Sequence, residues 1–245
     1  MQHQEAKRIL PESETAVLFI HGINGSPNHF DFLLPYLPSG CSFFNMLLDG
    51  HGKRVQDFAK TSLHKWEAQV NAAVCELSST HKEIWIVAHS MGTLFAIEQA
   101  IQNKNITKLF LLAVPLKLFL KPTMLENSWK SFKGNPKEND PVGQAACNCC
   151  SIRHSKNIFA YLGWLPRYLE LFFKIRETNK LIPLLTTNTL AYQSAKDEMV
   201  SKKSICALNA NPHIQSHMLL NSRHFYYNEA DTQEICHAFQ TWLES

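Results

Sequence analysis

No apolar run in the chain approaches the ~18 residues that a membrane-crossing helix needs, and the stretch Leu109 to Leu116 falls far short. Nor does either sign of charge dominate. Twenty-four Lys and Arg stand against 21 Asp and Glu, a formal net charge of +3 over 245 residues. That is too mild for the dense cationic surface that nucleic acid requires, so no nucleic-acid partner is expected. The cysteine count is not even: Cys41, Cys75, Cys147, Cys149, Cys150, Cys206 and Cys236 are scattered through a chain whose 45% hydrophobic content can build a core without staples. They read as thiols rather than a disulfide framework. "CNCC" at Cys147 to Cys150 lacks the second Cys or His pair of a four-ligand zinc site, with His154 the nearest further ligand. A solvated loop is the better reading, and neither a metal nor an organic cofactor is expected. "MQHQEAKRILPESE" has no apolar h-region and no small-residue cleavage site, which points to a cytoplasmic protein without stable membrane insertion. Internal repeats and low-complexity tracts are also missing.

What the chain does have is alternation. Six short apolar runs end at turn residues: Thr15 to His21, Cys41 to Leu48, Ile84 to Ala88, Lys108 to Val114, Thr189 to Ala195 and His217 to Asn221. Most are continuous rather than alternating, the pattern of strands buried on both faces. Between them lie helical stretches at about Asn28 to Leu37, Leu63 to Leu77, Met91 to Gln102 and Thr232 to Leu243. Strand and helix in turn predict an α/β fold, a mostly parallel central sheet flanked by helices.

One segment, residues 115–183, interrupts that rhythm. Lys117 to Lys180 holds 11 Lys and Arg against 5 Asp and Glu, whereas the remainder is net negative. It reads as a small helical cap inserted between the fourth and fifth predicted strands, with residues 1–114 and 184–245 forming the core. "FAYLGWLPRYLELFF", Phe159 to Phe173, predicts an amphipathic helix starting near Pro166. Its aromatics serve either to seat the cap or to line an apolar pocket, and the sequence leaves both open.

"VAHSMGT", Val87 to Thr93, places Ser90 between a strand and a helix, with small residues Ala88 and Gly92 two positions to either side. In a nucleophile elbow the chain turns so sharply that the serine hydroxyl stands clear of the sheet, and only small residues fit at those two positions. The competing reading is a serine that merely caps the next helix; placement favours the elbow. A hydroxyl becomes a nucleophile only with a base, and the base needs an orienting acid. Of 12 histidines, His224 alone follows the last predicted strand and precedes the last helix. Asp197, just beyond the strand Thr189 to Ala195, is the candidate acid; Glu198 is the rival, its side chain expected to point elsewhere, and an ordinary charged turn is the plain alternative. Two backbone amides are needed for the oxyanion, those of Met91 and of Ile23 in "HGINGSP". By itself that motif is also an ordinary Gly/Asn turn.

These segments, "VLFIHGINGSP", "LLDGHGKRVQDF", "IVAHSMGTLFA", "SAKDEMV" and "SRHFYYNEADTQEICHAFQTWLES", resemble the α/β-hydrolase superfamily, in particular compact bacterial carboxylesterases and monoacylglycerol-lipase-like serine esterases. Order and spacing agree along nearly the whole chain. The resemblance implies Ser90 as nucleophile, His224 as base, Asp197 as acid and the Ile23 and Met91 amides as oxyanion hole. It implies a structural role for His51 in the Gly-His-Gly turn. The sequence departs from the pattern at Ala88, at Thr93 and at Phe225, none of them a reacting group.

The expected activity is hydrolysis of short- to medium-chain acyl esters, monoacylglycerol among them, through an acyl-enzyme. The partner is a small hydrophobic ester, with surface contact between cap and membrane as a further expectation. Thioester hydrolysis by the same residues, and a catalytically silent fold that binds a ligand, are the alternatives. The sequence specifies no oligomeric state.

Overall fold

Five of the six apolar runs fold as neighbouring parallel strands at close to their expected positions, and the sixth is displaced. The computed structural model describes residues 3–119, 136–153, 155 and 157–245. Among these the strands are β1 (Ala6–Arg8), β2 (Thr15–Ile20), β3 (Ser42–Met46), β4 (Glu83–His89), β5 (Ile106–Leu112), β6 (Asn188–Ser194) and β7 (Ile214–Leu219). They form one sheet in the order β1-β3-β2-β4-β5-β6-β7, parallel throughout except that β1 runs antiparallel to β3. The helices are α1 (Val55–Ala59), α2 (Leu63–Ser78), α3 (Met91–Gln102), α4 (Pro141–Cys149), α5 (Leu165–Leu181), α6 (Ser204–Leu208) and α7 (Glu229–Glu244). This is the architecture of the α/β-hydrolase fold.

Side chains of a strand alternate between faces, so β2 sends Ala16, Leu18 and Ile20 to one side and Val17 and Phe19 to the other, all fully buried. The first side packs Trp66 and Val70 of α2 and Leu94 and Ile97 of α3. Opposite it lie Phe30, Leu33 and the α7 residues Ile235, Phe239 and Trp242. Removing one of these fully buried rings, as in Phe239→Ala, is a change that typically costs about 3–5 kcal/mol.

Several elements differ from the sequence reading. Cys147 to Cys149, expected in a solvated loop, close the helix α4, with Cys149 buried. The expected helix at 28–37 is two short 3-10 turns, Pro27–Phe30 and Leu34–Tyr36, since Pro35 brings no N–H and restricts Leu34 before it. The last strand lies three residues upstream of its expected start, because this edge strand is only partly buried and lacks a continuous apolar run. β1 is too short and polar to stand out at all.

The segment between β5 and β6 includes α4 and α5; its residues 120–135, 154 and 156, His154 among them, lie outside the described residues. Asp140 caps α4 by accepting the Gly143 N–H at 3.0 Å. α5 begins one residue before Pro166, near the expected start. It is joined to the core rather than resting on it. Trp164, Leu171, Ile175 and Ile182 enter the same apolar cluster as α2 and α3. The buried Lys174 ammonium lies 2.6 Å from Glu67 on α2 and 2.5 Å from Glu98 on α3. At its start, Arg167 pairs with Glu170 at 2.6 Å while Glu170 accepts the Leu63 N–H at 2.9 Å. The opposite face of α5 leaves Leu165, Leu169, Phe172 and Phe173 exposed.

Candidate active site

Parallel strands end on one edge of a sheet, and four loops meet at that edge here: those after β2, β4, β6 and β7. Ser90 follows β4 directly and precedes α3. Its backbone has φ 51° and ψ −123°, outside the regions that L-residues adopt without strain, a cost of about 1–3 kcal/mol. Although Ser90 occupies the N-cap position of α3, its hydroxyl caps nothing. The helix-cap reading therefore fails, and the elbow reading fits the backbone. A Cβ on Gly92 would sit 2.2 Å from the Ile20 carbonyl oxygen, which is why that position takes no side chain. Thr93, a departure from the family pattern, donates its hydroxyl to the Ser90 carbonyl at 2.6 Å and so braces the turn. Ala88 is accommodated, fully buried, in the core.

Behind the elbow runs the loop after β2. A Cβ on Gly22 would come 2.8 Å from the Ser90 Cβ, so only glycine lets the loop pass this close. The Gly22 carbonyl accepts the Gly25 N–H at 3.0 Å and lies 2.8 Å from His21 Nδ1. In a planar trans peptide the carbonyl and the next N–H point in opposite directions. Anchoring Gly22 O thus turns the Ile23 N–H away from the turn's interior. Met91 is the first residue of α3, and the first amides of a helix have no acceptor within it. Both predicted oxyanion donors therefore stand beside Ser90 in the chain or in space.

His224 and Asp197 are brought together. His224 Nδ1 lies 2.8 Å from Asp197 Oδ2, and both side chains are almost wholly buried. The other carboxylate oxygen of Asp197 accepts the N–H groups of Met199 and Val200 at 2.7 and 2.8 Å, fixing its plane. A carboxylate on Nδ1 places the imidazole proton there and leaves Nε2 as the basic nitrogen. Burial opposes the imidazolium, yet the Asp197 charge and hydrogen bond, then the Glu198 charge, outweigh it and raise the His224 pKa above its usual 6.5. Glu198 differs from expectation: rather than pointing away, it is buried, with Oε2 3.4 Å from the His224 backbone N, which donates to it. Phe225 lies edge-on to the His224 ring, centroids 4.7 Å apart.

The elbow and the His224 loop are joined through His89. Its Nε2 donates to the His224 carbonyl at 3.0 Å, and its ring centroid is 4.8 Å from that of His224. His29 stacks on His89 with centroids 3.7 Å apart and has its Nδ1 3.4 Å from Cys149 Sγ. Burial, then the His224 and His21 charges, hold His29 down to about 3. Burial also pushes the Cys149 thiol far up, leaving it inert. No group of three His, Cys, Asp or Glu side chains suited to a metal occurs among the described residues.

Sequence reasoning passed over His21 and kept His51 apart as structural. His21 Nε2 accepts the Leu48 N–H at 3.1 Å and His51 Nε2 accepts the Asn24 N–H at 3.1 Å, so both hold the loop after β2 to the loop after β3. Both are neutral: burial lowers His21 to about 4 and His51 well below its usual value. The available signals were a histidine closing a strand and another between two glycines.

The model of the alpha/beta hydrolase family matches residues 17–230, and the chain belongs to that family. No curated protein matches the sequence. Among solved structures, one of the metagenome-derived lipolytic enzymes LipS and LipT is similar over 99% of this chain and 97% of its own, with 18% identity and a TM-score of 0.74. The monoacylglycerol lipase of Paleococcus ferrophilus is similar over 99% and 98%, at 15% identity and TM-score 0.69. Est1E from Butyrivibrio proteoclasticus, solved with ferulic acid, covers 98% and 94% at 14% identity and TM-score 0.66. At these identities the likeness is one of fold. No helix among the described residues is long and apolar enough to cross a membrane.

Proposed function

We propose that the protein is a serine ester hydrolase. The observation that carries this reading is the strained, non-capping Ser90 at the same sheet edge as a buried Asp197–His224 pair. Ser90 Oγ attacks the ester carbonyl while His224 Nε2 takes its proton, the Asp197 carboxylate stabilising the imidazolium that results. Charge develops on the carbonyl oxygen, where the Ile23 and Met91 amides bind it. The alcohol leaves with the proton from His224. Water, deprotonated by the same nitrogen, then hydrolyses the acyl-enzyme, and no cofactor enters.

Short- and medium-chain acyl esters, monoacylglycerol included, are the substrate class. Support comes from the lipolytic and monoacylglycerol-lipase relatives and from the apolar character of the insertion, which acts as a cap. The exposed Leu165, Leu169, Phe172 and Phe173, with Arg176 and Lys180 farther along α5, suit contact between this cap and a lipid surface. An odd, scattered set of cysteines fits a reducing compartment, and we place the protein in the cytoplasm.

The test is labelling with a fluorophosphonate, then mass spectrometry. An adduct on Ser90, absent from Ser90→Ala, is expected; an unlabelled native protein, or an adduct elsewhere, overturns the reading. A series of p-nitrophenyl esters from acetate to laurate then reads chain-length preference, with a peak at intermediate length expected.

A further inference from the structure

The insertion reaches the Gly22–Gly25 turn at two neighbouring residues. Tyr168 of α5 meets the Asn24 side chain, Nδ2 and phenol oxygen 2.8 Å apart, a separation that makes a hydrogen bond in either orientation of the carboxamide. Ser151, two residues past α4, donates its N–H to the Asn24 carbonyl at 3.1 Å and its hydroxyl to the Gly25 carbonyl at 2.6 Å. From the core side, His51 Nε2 accepts the Asn24 N–H at 3.1 Å. Each of these three hydrogen bonds on Asn24 ties it to another part of the molecule.

Asn24 needs that restraint. Its φ of 60° is left-handed, a region that asparagine tolerates better than most residues but does not prefer. It is the third residue of a turn closed by the Gly25 N–H on the Gly22 carbonyl, and that carbonyl shares its peptide plane with the Ile23 N–H. If Asn24 relaxes to negative φ, the turn reopens and the Ile23 amide swings with it.

We infer that Asn24 and Tyr168 are positioning residues for the oxyanion hole: the insertion holds the turn in its left-handed form and so holds the Ile23 N–H on the developing anion. The inference rests on the hydrolase reading. It gives the insertion a task beyond shielding an acyl chain. Shielding strengthens binding of substrate and transition state alike, whereas an aimed amide acts where charge develops, in the transition state alone.

Tyr168→Phe keeps the ring and removes the hydroxyl; Asn24→Gly keeps positive φ accessible and removes the carboxamide. With p-nitrophenyl butyrate, each variant is expected to lower kcat about 3- to 30-fold, part of the ~100-fold or more that a lost oxyanion donor costs, with KM nearly unchanged. Affinity for an alkyl trifluoromethyl ketone falls by the same factor as kcat/KM, and the double variant is no slower than the slower single one. Amide hydrogen exchange at Asn24 and Gly25 quickens about tenfold in Tyr168→Phe, a local opening independent of turnover. Glu177→Ala, an exposed change on the same helix, leaves all of these unchanged. Unaltered exchange in Tyr168→Phe, a change confined to KM, or losses that add in the double variant would overturn the inference. A native protein without ester turnover would instead overturn the hydrolase reading, while exchange still decides whether Tyr168 holds the turn.

Discussion

Two loops at the same sheet edge use histidine in opposite ways. After β2, His21 lies with both ring nitrogens on backbone groups, one near the Gly22 carbonyl and one accepting the Leu48 amide, and burial holds its pKa down to about 4. After β7, His224 is equally buried, yet its pKa is raised, because burial is outweighed by Asp197 and Glu198. Burial alone cannot distinguish them. A buried imidazole between a carbonyl and an amide is a fixed strut with one donor and one acceptor, whereas one beside carboxylates can accept a proton and hold it. The first kind shapes the site; under the proposed hydrolysis the second moves charge within it.

The comparison can be broken most severely at the groups proposed to react. Ser90→Ala is expected to lower kcat for a p-nitrophenyl ester by about 10⁶-fold while leaving the circular dichroism spectrum and Tm near native values. Asp197→Asn removes the charge that separates His224 from the neutral histidines and is expected to cost about 10⁴-fold in kcat. Next comes Gly92→Ala, which removes no proposed reacting group but sets a methyl against the Ile20 carbonyl; a destabilisation of about 3 kcal/mol or more is expected in urea unfolding.

Smaller effects follow from pH. His21 and His29 have folded pKa values of about 4 and about 3 against 6.5 unfolded, so below 6.5 the unfolded chain binds more protons. Stability falls as pH drops through that window, by about 1.4 kcal/mol per unit for each histidine. His224 acts with the opposite sign: its raised pKa stabilises the fold below 6.5, and this contribution is lost as pH rises through the folded value. The neutral histidines outnumber it, so urea midpoints are expected to be lower at pH 5 than at pH 7. The finest test is Glu198→Gln. The acid limb of kcat/KM, which reports His224, is expected above pH 6.5 in the native protein and nearer that value in the variant. An unmoved limb would show that Glu198 only holds the backbone.

Much of this was legible beforehand because the signals are local. Continuous apolar runs marked the buried strands, and α3 begins and ends where its pattern did. Ser90 stood out because a strand-to-helix turn leaves room only for small residues around it, and Gly92 meets the Ile20 carbonyl accordingly. Strand β1, the 3-10 turns and the shifted β7 were less legible, each being short, interrupted by proline or half exposed. Glu198 was misjudged because adjacent residues were assumed to point apart, whereas a tight turn sends one carboxylate to the His224 ring and the other to its amide.

The sequence by itself determined the alternating α/β plan, the elbow at Ser90 and the order in which serine, aspartate and histidine occur, since each is written in residues a few positions apart. Only the tertiary structure decided which histidines are held between backbone groups and which one faces a carboxylate, and that Tyr168 meets Asn24 across 144 positions of chain. The charge state of a buried group and the shape of a strained turn depend on neighbours supplied from elsewhere in the fold, and no local pattern encodes them.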